Sequence, residues 1–162
     1  MILRRIPAAE WRRARRNSGS VALLLCDVDH FKAYNDHYGH VAGDDCLRRI
    51  AALIHKHMER ASGLAARYGG DEFAVILPET TISCAALVAK RTRHAVAEQL
   101  IPHAGSSHGQ VTLSIGVAAA VPGLDNPPDD LVLGADRTLY RAKSSGRDAV
   151  CRANSLPSVP AT

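Results

Sequence analysis

The apolar run Val21-Ala22-Leu23-Leu24-Leu25-Cys26 ends abruptly in Asp27-Val28-Asp29. No polar residue alternates into it, so it has no face to offer water. It reads as a strand buried on both sides, which requires covering layers above and below it. A chain of 162 residues can supply both layers as one domain. The acids that close the run lie where sheets with covered faces present their ligands, outside the carboxyl ends of the strands.

The run is also far short of the ~20 residues that span a bilayer, as is Val117 to Val121. No charged-then-apolar leader opens the sequence, so the expected location is cytoplasmic, without a membrane. Cys26, Cys46, Cys84 and Cys151 are scattered with no C-x-x-C pair. This argues against a zinc ribbon or a disulfide scaffold and for reduced thiols.

Around the run, Ala8 to Arg16 is helix-forming and ends in the turn cluster Asn17-Ser18-Gly19-Ser20. Residues 30–43 are polar and aromatic, with Gly39 and Gly43 expected to break any long helix. From Asp44, the residues Leu47, Ile50, Ala51, Ile54 and Met58 recur at helical spacing and predict a helix ending near Gly63. Two strand-like runs, Leu64 to Tyr68 and Asp71 to Leu77, flank Gly69-Gly70 and predict a hairpin with a tight primed turn, both glycines at positive φ. Pro78 stops the second strand. A helix over Ile82 to Leu100, a strand over Val111 to Ala119, a helix over Leu131 to Ser144 and a short edge strand over Asp148 to Arg152 follow. The order β-α-β-β-α-β, with one more helix and strand, is the ferredoxin-like split-βαβ pattern of an α+β fold: a mostly antiparallel sheet flanked by helices.

The net charge of +4 is local: Arg4, Arg5, Arg12, Arg13, Arg15 and Arg16 against Glu10 give residues 1–20 a charge of +5, leaving −1 on the rest. The expected organisation is a basic helical stub of a linker over 1–20, a catalytic domain over 21–152 and a disordered tail over 153–162. The arginines read as the solvated face of a helix, and no nucleic-acid partner is expected.

Two acidic clusters carry the chemistry. Asp27 and Asp29 close the first strand, and Asp71 with Glu72 follows the glycine turn. In a split-βαβ sheet the first strand lies beside this hairpin, so the clusters can meet. Carboxylates converging there repel unless a hard cation lies between them. Mg²⁺ or Mn²⁺, held by one or two carboxylates plus substrate phosphates, fits better than an all-protein cage. The simpler alternative is that each acid caps a strand or a turn. His30, His37 and His40 lack the partners of a zinc site, and no G-x-x-x-x-G-K-[ST] loop is present.

Arg67-Tyr68-Gly69-Gly70-Asp71-Glu72-Phe73 resembles the signature of the GGDEF diguanylate cyclase family. Asp27-Val28-Asp29-His30-Phe31-Lys32, with Asn35, Gly39-His40 and Gly43-Asp44, resembles its D-x-D-x-F-K…N…G-H…G-D block. Ala135 to Lys143 with Gly146-Arg147 resembles its closing block. The resemblance runs from about residue 8 to 152. It implies a fold akin to nucleotidyl cyclases and polymerase palm domains, and condensation of two GTP molecules into cyclic di-GMP and pyrophosphate by a homodimer.

It further implies two Mg²⁺ or Mn²⁺ ions per site on Asp27, Asp71 and the Val28 carbonyl, with Asp71 and Glu72 as catalytic residues. Phe31, Lys32, Gly69, Gly70, Lys143 and Arg147 would meet the phosphates. Asn35, Asp44 and Leu47 would meet guanine, whose N1–H and N2–H₂ donors adenine lacks. Asp44 also reads as a helix N-cap or first-turn acid, and Leu47 as core.

Two departures matter. The family's opening D-x-L-T-G-L-x-N-R segment has no match before Trp11, so a sensory or receiver domain is expected to be missing on that side. The inhibitory R-x-x-D motif reads Arg60-Ala61-Ser62-Gly63, with Arg91 at the place of a second arginine. Its carboxylate is lost, so feedback inhibition by cyclic di-GMP is expected to be weak or absent. The alternative function is a module that binds GTP or cyclic di-GMP without turnover.

Overall fold

Every residue of β1 (Val21–Val28) is buried, and the alternation of its side chains divides the protein into two cores. The computed structural model describes residues 6–154; Arg4, Arg5 and the tail from residue 155 onward lie outside the described residues. Ala22, Leu24, Cys26 and Val28 join one core with residues of α2 (Phe31–Tyr38), α3 (His40–Glu59) and α4 (Ile82–Ala97). Val21, Leu23 and Leu25 join the other, with Trp11 and Ala14 of α1 (Ala8–Arg16) and Leu131, Ala135 and Leu139 of α5 (Pro128–Ser144). The arginines of α1 from Arg12 to Arg16 are exposed, as a solvated helix face requires.

The sheet has the order β2-β3-β1-β4-β5. β1 pairs antiparallel with β3 (Glu72–Pro78) and with β4 (Leu113–Ala120). β2 (Leu64–Arg67) pairs antiparallel with β3, and β5 (Val150–Arg152) runs parallel to β4. This is the expected split-βαβ arrangement, with β5 added through the α5 crossover. The register sets Asp27 opposite both Glu72 and Ser114. Among the described residues no helix is long and apolar enough to cross a membrane.

Five local expectations are revised. Gly39, at φ +88°, makes the break between α2 and α3 alone, and α3 runs on through Gly43. Asp44 is therefore neither an N-cap nor a first-turn acid. Neither Gly69 nor Gly70 has positive φ. The hairpin closes through the three residues Gly69-Gly70-Asp71, since Tyr68 N–H already bonds Glu72 O at 2.8 Å. α5 begins at Pro128, whose missing N–H costs nothing at a helix start, and Asp129 and Asp130 favour that first turn. α4 ends at Ala97, short of Leu100.

Helix α5 lies directly on β4 at Gly116. A Cβ there would meet Ala135 O at 2.2 Å and Leu139 N at 2.3 Å, both backbone atoms. Gly116→Ala should therefore destabilise the protein by about 3 kcal/mol. The check is the urea midpoint, which should fall with an unchanged m-value.

Candidate active site

Asp27 lies on the α5 side of the sheet, one position from the end of β1. Lys143, in the last turn of α5, reaches across and donates from Nζ to Asp27 Oδ2 at 2.8 Å. The Asp27 side chain is 10% exposed. Burial pushes its carboxyl up from 3.8 to about 6; the Lys143 hydrogen bond and charge pull it down, and Asp71 and Glu72 push it up. The three acids thus feel one another across one space, with an ammonium on the buried member. The end of β1 is tied to the turn by Val28 N–H donating to Asp71 O at 3.1 Å.

Among the described residues no three His, Cys, Asp or Glu side chains converge closely enough to hold a metal by themselves. The donor set is hard oxygen, and a cationic group already sits on Asp27. It suits an ion that completes its shell with phosphate oxygens.

The glycine turn is held from behind. Arg67 Nε donates to Gly69 O at 3.1 Å and Gly70 O at 3.0 Å, and its Nη2 also donates to Gly70 O. A Cβ at Gly69 would lie 2.9 Å from Glu72 Oε2, so this glycine lets the Glu72 carboxylate fold back over the turn. Gly70 has nothing within 4 Å of its Cβ position and an ordinary φ. Nothing in the fold itself requires glycine there. Arg67 belongs to the quoted signature, yet its spacing carried no hint that it grips the turn's carbonyls.

Asp29 departs from the reading that grouped it with Asp27. It is 1% exposed and turned inward, accepting from Thr112 Oγ1 at 2.7 Å, Ser114 Oγ at 2.6 Å and Asp148 N–H at 3.0 Å. Between it and α2, His30 adopts the left-handed conformation with φ 53°. His103 donates from Nε2 to His30 O at 3.0 Å while its Nδ1 accepts Gly105 N–H at 3.2 Å, which pins the loop leading to Phe31 and Lys32. Phe31 is buried and Lys32 exposed. Burial, then the Arg147 charge, lowers the His30 pKa, so Arg147 stands near this same loop.

A groove of about 370 Å³ between α3 and the hairpin is lined by Asp44, Leu47, Ala51, Ala65, Arg67 and Phe73, among others. Leu47 is 5% exposed, serving as both core and groove floor. Asn35 is turned onto α3: its Oδ1 is buried without a hydrogen-bond partner and lies 1.7 Å from where a Cβ of Gly43 would be. Gly43 is thus the seat of Asn35.

Arg60 and Arg91 line a second groove, of about 610 Å³, between α3 and α4, with Lys56, His57, His94 and Glu98. Burial and then the charges of Arg60, Lys56 and Arg91 lower the His57 pKa. Gly63 faces elsewhere: a Cβ there would meet Leu77 Cδ2 at 2.7 Å and Ile76 O at 3.2 Å, inside the sheet.

The unfolded chain carries Asp27 near 3.8, so up to about 6 the folded metal-free protein binds more protons than the unfolded one. Stability from the protonated group is complete below the lower value and is lost as pH rises through the higher, by about 2–3 kcal/mol in all. Urea unfolding across this pH range should show the decline, and Asp27→Asn should flatten it.

A profile described as diguanylate cyclase, GGDEF domain, matches residues 2–149. The chain is 41% identical over 140 residues to the response regulator PleD of Caulobacter vibrioides, covering 86% of this chain and 30% of PleD. It is 42% identical over 139 residues to diguanylate cyclase A of Treponema denticola, covering 85% of this chain and 37% of that protein. The chain thus spans about a third of the length of these curated relatives. Its structure is similar to the GGDEF domain of DgcB from Caulobacter crescentus in complex with c-di-GMP, with TM-score 0.80 and 32% identity over 91% of this chain and 83% of that one. It is also similar to the active GGEEF domain of a diguanylate cyclase from Vibrio cholerae, with TM-score 0.79 and 29% identity over 91% of each chain.

Proposed function

The chain belongs to the GGDEF diguanylate cyclase family, and from that premise we propose that it condenses two GTP molecules into cyclic di-GMP. In each half-reaction the 3′-oxygen of one GTP bonds to the α-phosphorus of the other. The bond from that phosphorus to the β-phosphate bridging oxygen breaks, and pyrophosphate leaves with that electron pair. One site aligns one α-phosphate, so two copies of the chain must face each other, each bringing one GTP.

The observation that carries this reading is the facing of Asp27, Asp71 and Glu72 at the end of β1, with Lys143 on the buried member. Two Mg²⁺ or Mn²⁺ ions on Asp27, Asp71 and the Val28 carbonyl would lower the 3′-hydroxyl pKa and neutralise phosphoryl charge. The 3′-hydroxyl proton passes to water, beside the negative charge of Glu72. Lys143, Arg147 and Lys32, with the Phe31 backbone, hold the triphosphate. Gly70 supports the assignment: with open space beside it and ordinary φ, its lack of a side chain serves something outside the protein.

Asp44 takes the guanine N1–H and N2–H₂ edge from α3, with Leu47 beneath the base. Asn35 contributes once its amide is held beside Asp44, and Gly43 makes the room. The groove with Arg60 and Arg91 retains cations for phosphate but has no carboxylate at position 63, so product inhibition is weak.

Incubating the protein with GTP and Mg²⁺ or Mn²⁺ at rising protein concentration should yield cyclic di-GMP with more than first-order dependence on enzyme. Asp71→Ala should abolish it, and full activity in that variant would refute the metal assignment. GTP binding without product at high concentration would favour the binding module instead.

Gly43→Ala separates recognition from folding. The Cβ displaces the Asn35 amide and crowds the Phe31 ring at 3.2 Å, a cost offset by the helix preference of alanine over glycine, about 1 kcal/mol, so the fold should be retained. The preference for GTP over ATP in kcat/KM should fall about tenfold, as expected for loss of one charge-assisted contact's geometry.

A further inference from the structure

Of the cations assigned to the triphosphate, Lys32 lies on α2 and Lys143 on α5, whereas the backbone of Arg147 belongs to no helix or strand. It sits in a turn where Gly146, Arg147 and Asp148 have φ of +112°, +65° and +45°. Two successive non-glycine residues hold this conformation only where their surroundings impose it.

Two clamps close on the next residue, Asp148. From the sheet, the buried Asp29 carboxylate accepts Asp148 N–H at 3.0 Å while Thr112 and Ser114 hydroxyls at 2.7 Å and 2.6 Å fix its own orientation. From α4, Arg93 Nη1 donates to Asp148 Oδ1 at 2.6 Å and to Asp148 O at 3.3 Å. Both partners of that ion pair are less than a third exposed. On the helix side, Arg147 N–H returns to Ala142 O at 3.1 Å. The turn is therefore bonded to β1's end, to α4 and to α5, and Arg147 projects from its centre.

We propose that Asp29 and Arg93 are positioning residues that hold Arg147 against the triphosphate, an inference that rests on the cyclase reading above. Asp29 lies just past the end of β1 but is turned inward onto three donors, two that orient it and one, Asp148 N–H, from the turn. Arg93 belongs to α4, on the face of the sheet opposite the one that carries Asp27 and α5, and acts on GTP only through Asp148.

The test is a double-mutant cycle read by binding rather than turnover. Titration of 3′-deoxy-GTP with Mg²⁺ avoids reaction, because the attacking hydroxyl is missing; guanosine serves as the phosphate-free reference. Arg147→Ala should weaken 3′-deoxy-GTP about tenfold and leave guanosine unchanged. Arg93→Ala should weaken 3′-deoxy-GTP about three- to tenfold, again sparing guanosine, and the double variant should bind like Arg147→Ala alone. Arg93→Lys, which keeps the charge without the fork, should recover part of the loss. Asp29→Asn provides an independent route, with the same loss for the triphosphate and none for guanosine.

The proposal is overturned if Arg93→Ala and Asp29→Asn leave 3′-deoxy-GTP affinity unchanged, or if the Arg93 and Arg147 losses simply multiply. A wild-type protein that binds 3′-deoxy-GTP no better than guanosine overturns the cyclase reading itself and this proposal with it.

Discussion

A carboxylate at the end of a strand buried on both faces sets the terms for the rest of the molecule. Only 10% of the Asp27 side chain is exposed at the end of the central strand, and burial accordingly raises its pKa to about 6. A charge so placed needs a counter-charge. Lys143 supplies it, and its reach depends on how closely α5 lies on the sheet. Ala135, Leu139 and Lys143 are spaced four apart and share one face of α5. The first two rest against Gly116, where the absence of a side chain lets helix backbone touch strand backbone. A substitution in the middle of β4 thus acts on the ion pair at the sheet's end through the seating of one helix.

The parts of the fold that depend on continuous apolar patterning were legible in the chain. The Val21–Cys26 run specified a central strand, the Leu47–Met58 spacing a helix, and the two runs around Gly69-Gly70 a hairpin placed beside β1. The misread parts turn on geometry that spacing does not carry. Two glycines near one another, Gly39 and Gly43, look alike as breakers, yet one residue at positive φ suffices to turn the chain. The other is then free to lie within α3 and accept Asn35 against it. Likewise Gly69-Gly70 suggested a primed turn, but Arg67 binding both of their carbonyls stabilises a three-residue closure with ordinary φ.

Asp27 and Asp29 illustrate why the site itself was only partly legible. Their separation of two gives them the same parity, which on a continuing strand would aim both at one face. Parity holds only while the strand lasts, and β1 ends at Val28. Asp29 is the first residue beyond it, and the chain's turn toward α2 directs its carboxylate back along the sheet's end to Thr112, Ser114 and Asp148. One residue past a boundary converts a member of the apparent acidic cluster into a structural acceptor. The acids assigned to metal were recognisable by motif; the acid that organises the opposite wall was recognisable only from its donors.

Lys143 connects the two halves of the proposed chemistry. Its ammonium lies 2.8 Å from Asp27, near the C-terminus of a helix whose dipole favours a cation. On the cyclase reading the same ammonium meets triphosphate oxygens, and one compact charge cannot serve a buried carboxylate and a phosphate equally well. On that reading a divalent ion at Asp27 would relieve the need for Lys143 there, and a triphosphate at Lys143 would give it a second anion. Each ligand would take one member of the pair, so each would lower the cost of admitting the other. Coupling of metal to nucleotide would then rest on a single ion pair, without any movement of the sheet that carries it.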